Sequence, residues 1–431
     1  MMNPTSSSEH LPAASPSAGR GAGTRVAMGV MTTIFFMWGF ITVLNDVLIP
    51  HLKSVFTLNY FEVMLIQFTF FGAYFIMSLP SGKVLAHYGY RASIIIGLLI
   101  TGVGALLFVP AAQIQSYPLF LFAFFVLASG ITLLQVAANP YVSLLGDPQR
   151  ASSRLNFTQA WNSVGTMLAP TFGGLLILST AVLGAAELAK LSPAAQTAYK
   201  LQQAHSVQGP YIGIAIVLFV LAVLVWLFHL PRLDNTEVAD DSRHRFADAL
   251  KVRRVWLGML AIFVYVGAEV SIGSFMINYL SLPEIGNIPE ARAAFYVSLY
   301  WGGAMVGRFI GSALLTRIDT RKLLAFNAAI AALLVLTTML TFGHVALWSV
   351  VAIGLFNSIM FPNIFTLGIE KFGPLTGKVS SLLVMAIVGG AIIPLAQGAI
   401  ADHVGVHHAY VLPFVCYLYI IYYGLKGSRV A

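Results

Sequence analysis

Charged residues and cysteine are both scarce in this chain. Only 9% of the 431 residues are Asp, Glu, Lys or Arg, whereas an ordinary soluble domain contains about 25%. This shortage argues against a soluble domain. The single cysteine, Cys416, excludes a disulfide within the chain.

Sequence motifs of common enzymes are also missing. The chain contains no G-x-S-x-G, no P-loop and no H-E-x-x-H motif. Its histidines near predicted helix ends have no acidic or cysteine partner spaced for a tetrahedral metal site. We therefore expect no enzymatic activity, no cofactor and no metal. Because the chain has no nucleotide-binding motif, we expect any process that needs energy to be driven by an ion gradient or by the gradient of a solute.

Long apolar runs dominate the sequence instead. Hydrophobic residues make up 58% of the chain, and runs of about 20 residues follow one another along nearly all of it, each long enough to cross a bilayer as a helix. The sequence therefore predicts an all-α polytopic membrane protein with twelve transmembrane helices. The predicted helices are 27–50, 61–84, 92–112, 117–144, 154–180, 210–230, 255–281, 292–316, 322–342, 345–369, 379–401 and 407–425.

The distribution of Lys and Arg predicts the orientation. Nineteen of the 24 basic residues fall in loops on the side shared by both termini, four fall on the other side, and Arg308 lies within a predicted helix. The positive-inside rule then puts both termini in the cytoplasm, for a protein of the bacterial inner membrane. This topological pattern accounts for the net charge of +8, so we expect the lipid bilayer and no nucleic acid as partner.

The chain divides into two halves of six predicted helices. We predict a disordered cytoplasmic tail over 1–26, bundles over 27–230 and 255–425, a cytoplasmic linker over 231–254 and a short tail over 426–431. Three pairs of segments repeat in the same order at similar offsets: "GKVLAHYGYRASI" (82–94) with "GSALLTRIDTRKLL" (311–324), "PYVSLLG" (140–146) with "PNIFTLG" (362–368), and "SSRL" (152–155) with "SSLL" (380–383). Such parallel halves are the build of major facilitator transporters, whose substrate sites lie between them.

Three charged residues fall deep within predicted helices. They are Asp46, Glu269 and Arg308. Charged groups at this depth are costly and usually face a cavity or a partner. A low-dielectric surrounding favours the neutral form of a carboxyl group, so an embedded carboxylate can carry a proton. We predict Asp46 and Glu269 as proton-coupling residues and Arg308 as their charge partner. Alternatively, the carboxylates form structural ion pairs and Arg308 binds backbone carbonyls.

Amide and aromatic side chains accompany these charges. Amides donate and accept hydrogen bonds, and aromatic rings stack on the apolar faces of sugars. This combination suits a neutral polyhydroxylated ligand better than a cationic drug or a phosphorylated compound. Alternatively, the amides hydrogen-bond neighbouring helices and the rings only pack. The predicted ligand-binding residues are Trp38, Gln135, Asn139, Gln159, Asn162, Tyr265, Glu269 and Asn278.

Several blocks together resemble the fucose–galactose–glucose:proton symporter family of the major facilitator superfamily. The resemblance covers essentially the whole chain after the N-terminal tail, and it implies a twelve-helix carrier that takes up a monosaccharide with a proton. The segment 82–91 also resembles the superfamily's gating motif, with His87-Tyr88 in place of the usual Asp-Arg. The blocks are "FFMWGFITVLNDVLIPHLK" (35–53), "ASGITLLQVAANPYVSLLG" (128–146), "SSRLNFTQAWNSVGTMLAP" (152–170), "SVQGPY" (206–211), "FVYVGAEVSIGSF" (263–275) and "FPNIFTLGIEKFG" (361–373).

Two positions differ from the L-fucose carriers of that family. The resemblance aligns Asp46 with their first-span aspartate. It places Gln135 where they have a glutamate, and Glu269 where they usually have an amide. The chain is therefore more similar to the bacterial glucose/galactose carriers. This comparison implies one membrane carboxylate in each half of the chain, on the first and seventh helices.

Together with the embedded carboxylates, this resemblance implies a proton-coupled hexose symporter that works by alternating access, and we expect it to be a monomer. Glucose, galactose and mannose are the candidate sugars. The alternatives are an L-fucose:proton symporter, a sodium-coupled or passive sugar carrier, and a sugar sensor that keeps the transporter fold.

Overall fold

In a computed structural model of the chain, the structure describes residues 18–56, 60–176, 190–228, 230–231 and 245–429. These residues form helices and no strand. The helices are α1 (Ala18–Phe56), α2 (Tyr60–Gln113), α3 (Tyr117–Leu144), α4 (Ala151–Leu176), α5 (Pro193–Ser206), α6 (Gln208–Leu227), α7 (Phe246–Leu250), α8 (Arg253–Leu280), α9 (Glu290–Leu314), α10 (Thr320–Leu340), α11 (Gly343–Asn357), α12 (Met360–Ile369), α13 (Thr376–Met385), α14 (Gly389–Val404), α15 (Val406–Ala409) and α16 (Val411–Tyr422).

Helix α2 contains two of the predicted spans. It has 54 residues and a non-helical backbone at Gly89, where φ is 75°. A straight helix of that length would measure about 80 Å, against a hydrocarbon core of roughly 30 Å. Glycine takes a positive φ without steric cost. The positive φ at Gly89 therefore divides α2 into the second and third spans.

Two other spans are interrupted in the second part of the chain. The tenth predicted span consists of α11 and α12, which are separated at residues 358–359, and the eleventh consists of α13 and α14, separated by a 3₁₀ turn over Ala386–Val388. Each of the twelve predicted spans overlaps described helix. Residues 177–180 and 229 of the predicted spans lie outside the described residues. Within the described residues, nine helical stretches are long and apolar enough to cross a membrane.

The helices pack into an N-terminal group, α1–α6, and a C-terminal group, α8–α16. In the first, α1 packs on α4, and α2 on α3 and α6; in the second, α8 and α10 pack on α16 and α9 on α11. Glycine permits a close approach between α1 and α4 in the first group. A Cβ atom on Gly165 of α4 would lie 2.2 Å from the carbonyl oxygen of Phe36 in α1.

Hydrogen bonds join the two groups at one end of the molecule, which we call the basic end. It carries the connections 82–91, 145–151, 245–253, 315–320 and 370–376. Asn156 donates its amide to Asn363 Oδ1 at 2.8 Å, and both side chains are fully buried. The Ser152 and Thr366 hydroxyl oxygens are 2.7 Å apart, and Ser153 Oγ donates to the Ser312 carbonyl at 2.7 Å. The basic end is therefore closed in this conformation.

Two short helices were not predicted from the sequence. Helix α5 is only 14 residues long, and α7 lies within the segment predicted as a linker. The Asp248 carboxylate accepts a hydrogen bond from the Arg245 backbone N–H at 2.9 Å, which satisfies a donor at the start of α7. Both helices are too short to cross a bilayer, so the search for spans missed them.

Candidate functional site

The centre of the site is the Glu269 carboxylate on α8. Tyr265 lies one turn earlier on the same face, and its hydroxyl donates to Glu269 Oε1 at 2.7 Å. On α9, Arg308 Nη2 lies 3.9 Å from the same oxygen. The two charged side chains are only 12% and 11% exposed, respectively. The structure thus brings together three of the four residues that the sequence singled out in the second half.

The break between α11 and α12 positions this cluster. A helix break leaves carbonyl groups without a partner in the helix. Arg308 Nε donates to the Ser358 carbonyl at 3.0 Å, and the Tyr265 hydroxyl reaches the Asn357 carbonyl at 3.0 Å. Gly307 allows the approach, because a Cβ there would lie 2.4 Å from the Leu355 carbonyl oxygen. The alternative role of Arg308, binding backbone carbonyls, therefore coexists with its contact to the carboxylate.

Arg308 also connects the two helix groups. Its Nη1 donates to the Ser163 hydroxyl of α4, which belongs to the N-terminal group. A single guanidinium therefore contacts α8, the broken tenth span and α4. Because it holds partners on both sides, its contacts have to change when the two groups move apart.

Sequence reasoning missed three members of this network, Tyr300, Tyr417 and Ser163. Asn357 Nδ2 donates to the Tyr300 hydroxyl at 2.7 Å, and Tyr417 donates to Asn357 Oδ1 at 2.6 Å. Tyr300 could have been found, because it precedes Arg308 by two steps of four residues and so shares its helix face. Tyr417 lies among several tyrosines of α16, and no spacing distinguishes it.

A second cluster lies in the N-terminal group. Gln135 on α3 is buried and donates its amide to the Tyr74 hydroxyl of α2 at 2.7 Å. The Trp38 side chain of α1 also lies close to Tyr74, and its ring lies 5.2 Å from that of Phe35. Tyr74 therefore brings together two of the predicted ligand-binding residues. Asp46 follows Trp38 by two turns on α1, and its side chain lies outside the described part of the structure.

The remaining predicted residues fall into three environments. Asn162 donates its amide to the Phe35 carbonyl of α1 at 3.0 Å, which is the helix-joining role expected of such residues. Asn278 is exposed on the last two turns of α8, away from Glu269. Asn139 and Gln159 are buried on α3 and α4. Among the described residues, neither amide atom of Asn139 nor the Gln159 Nε2 has a hydrogen-bond partner.

Unpaired buried amides show what this interior can bind. A buried polar group without a partner costs roughly 1–3 kcal/mol, and such groups are normally satisfied by water or ligand. The Gln135 Oε1 and both amide atoms of Gln397 add further unpaired groups among the described residues. Together with one carboxylate, they can donate to and accept from the hydroxyls of a neutral polar ligand. Among the described residues, no group of three or more His, Cys, Asp or Glu side chains is placed to hold a metal ion.

Comparison with known proteins supports the predicted fold class. The family model described as Major Facilitator Superfamily matches residues 26–394. A glucose/galactose transporter of Brucella abortus biovar 1 (strain 9-941) is 52% identical over 403 residues, which cover 94% of this chain and 94% of the relative. An L-fucose-proton symporter of Escherichia coli (strain K12) is 36% identical over 420 residues, 96% of each chain.

The fold also matches a solved transporter. A crystal structure of a Major Facilitator Superfamily transporter in the outward conformation aligns with a TM-score of 0.86 at 35% identity, covering 95% of this chain and 100% of that chain. The predicted all-α membrane fold is therefore confirmed, and a count of twelve helices is consistent with it.

Proposed function

The chain belongs to the major facilitator superfamily, and we propose that it is a proton-coupled hexose symporter that works by alternating access. Glucose, galactose and mannose are the candidate sugars, and the Brucella relative, a glucose/galactose transporter, supports the first two. The observation that carries the proposal is the Glu269 carboxylate. It lies inside the helix bundle, next to Arg308, which bridges the two helix groups.

We assign the coupling role to the two membrane carboxylates. Asp46 takes up a proton when the cavity faces outward, because a low-dielectric surrounding favours the neutral carboxyl group. It releases the proton when the cavity opens inward, because a nearby cation favours the charged carboxylate. Glu269 binds sugar hydroxyls or shares this role. Arg308 neutralises a carboxylate after proton release. The sugar-binding residues are Trp38, Gln135, Asn139, Gln159, Asn162, Tyr265, Glu269 and Asn278.

The proposed orientation follows from the charges of the basic end. Lys and Arg accumulate there, so it faces the cytoplasm of a bacterial inner membrane, with both termini on that side. The hydrogen bonds between Asn156 and Asn363 and between Ser153 and Ser312 then close the cytoplasmic side. This closure supports an outward-facing conformation. In the proposed cycle the protein acts as a monomer, and the bundles 27–230 and 255–425 move against each other to open the opposite side.

Sugar uptake into proteoliposomes tests this proposal. The full chain is reconstituted, and labelled glucose, galactose, mannose and L-fucose are supplied under an imposed proton gradient or, separately, a sodium gradient. We expect concentrative uptake of at least one hexose that depends on the proton gradient and disappears with a protonophore. Uptake that only sodium drives, or that never exceeds equilibrium, would contradict proton coupling. Selective uptake of L-fucose would contradict the hexose assignment.

Two variants test whether Asp46 couples sugar uptake to the proton gradient. Asp46→Asn removes the ionisable group, so we expect it to abolish concentrative uptake while sparing sugar exchange across the membrane. Asp402→Asn is the matched control, because Asp402 is exposed near the end of α14. Normal accumulation by Asp46→Asn would remove Asp46 from the coupling mechanism.

A further inference from the structure

One hydroxyl group contacts two acceptors at the centre of the candidate site. Tyr265 Oη lies 2.7 Å from Glu269 Oε1 and 3.0 Å from the Asn357 carbonyl oxygen. A tyrosine hydroxyl carries a single hydrogen, and a backbone carbonyl group only accepts. Tyr265 therefore cannot donate to both oxygens at once, and the charge of Glu269 determines which of the two contacts contains the Tyr265 hydrogen.

The two charge states of Glu269 give two arrangements of this hydrogen. A charged carboxylate only accepts, and it attracts a donor more strongly than a neutral carbonyl does, so Tyr265 then donates to Glu269. In that state the Asn357 carbonyl faces a lone pair of the hydroxyl. A protonated Glu269 donates to Tyr265 instead, and the Tyr265 hydrogen becomes available to the Asn357 carbonyl. Only the protonated state places a hydrogen in both contacts.

The receiving carbonyl lies at the break in the tenth span. Asn357 is the last residue of α11. Pro362 has no backbone N–H, so the Ser358 carbonyl four residues earlier has no donor in its own helix. Arg308 Nε donates to that carbonyl at 3.0 Å. Donors from α8 and α9 therefore reach two consecutive carbonyl groups at the break, and both donors also contact Glu269.

A second connection fixes Asn357 relative to Glu269. The Asn357 side chain is fully buried, donates to the Tyr300 hydroxyl at 2.7 Å and accepts from Tyr417 at 2.6 Å. The Tyr300 hydroxyl in turn lies 3.4 Å from the backbone carbonyl oxygen of Glu269. This connection uses the backbone of Glu269 and not its carboxyl group. It therefore keeps the two residues in place while the Tyr265 hydrogen changes its acceptor.

We propose that Tyr265 is a positioning residue that couples the charge of Glu269 to the break in the tenth span. When Glu269 takes up a proton, the Tyr265 hydrogen turns to the Asn357 carbonyl, and Tyr265 itself stays neutral. A side-chain donor to a carbonyl group at an interruption of a helix stabilises that interruption. Protonation of Glu269 therefore stabilises the break, and loss of the proton weakens it. The proposal rests on the proposed function only in that Glu269 changes its charge during the cycle.

This role requires no contact between Tyr265 and a sugar. The Tyr265 side chain is 0% exposed, so no face of its ring is open to a ligand in this conformation. Its hydroxyl acts on the break through hydrogen bonds alone. The proposal therefore predicts that removing the hydroxyl changes the response of the break to Glu269, even in the absence of sugar.

The other charged and titratable groups around Glu269 come from two neighbouring helices. Among the described residues, Arg308 and Tyr300 of α9 and Tyr417 of α16 face it together with Tyr265. The remaining charged residues and histidines of the described helices that pack on α8 lie near the ends of those helices. Of the four side chains that face Glu269, Tyr265 is the one that contacts both its carboxylate and the Asn357 carbonyl. Its hydroxyl can therefore be tested separately.

Hydrogen–deuterium exchange of the full chain in detergent tests the proposal. Mass spectrometry follows the backbone amides of 355–363, with those of 212–224 in α6 as the internal reference. Glu269→Gln removes the charge, but its amide still donates to Tyr265, so it imitates the protonated carboxyl group. We expect it to slow exchange of 355–363 about two- to ten-fold, the factor that corresponds to one net hydrogen bond. Unchanged or faster exchange would overturn the proposal.

The decisive comparison repeats Glu269→Gln in two tyrosine variants. Tyr265→Phe keeps the ring and removes the hydroxyl, so Glu269→Gln should no longer slow exchange of 355–363 in this background. Tyr279→Phe is the matched control, because Tyr279 is also buried on α8 and donates to the Thr338 carbonyl of α10 at 2.7 Å. The slowing should persist there. Equal slowing in both backgrounds, or its loss in both, would overturn the role of Tyr265.

The wild-type chain provides a second measurement that needs no tyrosine variant. Acidification protonates Glu269, so exchange of 355–363 should slow relative to 212–224 as the pH falls. This response should be absent in Glu269→Gln, which has no carboxyl group to titrate. The same response in both proteins would overturn the coupling between Glu269 and the break. Neither measurement requires transport or sugar, so failure here is distinct from failure of the proposed symport.

Discussion

Arg308 Nη2 lies 3.9 Å from Glu269 Oε1 inside the helix bundle. The same guanidinium donates to the Ser358 carbonyl at the break of the tenth span and to Ser163 of the N-terminal group. The contacts of this one side chain therefore depend on the charge of the Glu269 carboxylate, on the geometry of the break in the tenth span and on the separation of the two helix groups. A change in any of these three alters the remaining contacts of Arg308.

Removing the Arg308 charge should impair uptake strongly. Arg308→Gln leaves the Glu269 carboxylate without its cation, and breaking one side of a buried pair commonly costs about 3–5 kcal/mol. We expect the uptake rate per folded molecule to fall at least about ten-fold, with Arg308→Lys intermediate because lysine keeps the charge but not the planar fork. Initial uptake rates, normalised by size-exclusion recovery, measure this. Arg317→Gln, at an exposed position after α9, should behave like wild type.

Glu269→Gln should separate sugar binding from coupling. The substitution keeps the shape of the side chain and removes its charge, and hydrogen bonds to charged groups contribute about 1.5–3 kcal/mol. We expect sugar affinity, measured by calorimetry on the purified protein, to fall about ten-fold or more. Retained affinity with lost accumulation would assign Glu269 to coupling alone. Wild-type values for both would remove it from the site.

The amide pair between the groups should hold the basic end closed. Asn156→Ala removes a buried hydrogen bond to Asn363 worth about 0.5–1.5 kcal/mol, so opening should become roughly two- to ten-fold more favourable. Labelling of a cysteine at Ser380, which is buried on α13, should accelerate accordingly. Asn327→Ala is the control, because among the described residues that amide bonds only the Leu323 carbonyl of its own helix, at 2.9 Å. Equal labelling rates in the two variants would contradict this role.

Close contact between α1 and α4 should depend on Gly165. Alanine favours a helix over glycine by about 1 kcal/mol, yet a Cβ at Gly165 would lie 2.2 Å from the Phe36 carbonyl oxygen. We expect Gly165→Ala to lower the unfolding temperature. Gly213 of α6 has nothing within 4 Å of its Cβ position, so Gly213→Ala should raise that temperature or leave it unchanged. The same response at both positions would mean that the close approach does not limit stability.

The fold was largely predictable from the sequence because a bilayer imposes length and apolarity on every span. The described helices are consistent with the twelve spans that the apolar runs predicted, including the two arms on either side of Gly89. The interruption at 358–359 was not predicted. The carbonyl groups at this interruption accept hydrogen bonds from Tyr265 and Arg308, which lie on other helices. No local sequence pattern predicts hydrogen bonds from other helices.

The candidate site was predictable in part. Charge at membrane depth identified Glu269 and Arg308, and spacing by four identified Tyr265. Other contacts depend on packing between distant segments. Ser163 became visible only because Arg308 reaches it from α9, and the Asn162 amide turned out to hold the Phe35 carbonyl. Helical periodicity gives the face of a residue but not the neighbour that this face meets.

Sugar-induced proton movement tests proton-coupled symport most directly. Proteoliposomes in a weakly buffered medium receive the transported hexose with no imposed gradient, while an electrode records external pH. We predict alkalinisation of the medium that begins with sugar addition, saturates with sugar concentration and disappears in Asp46→Asn. Sugar entry at the wild-type rate without any pH change would contradict the account.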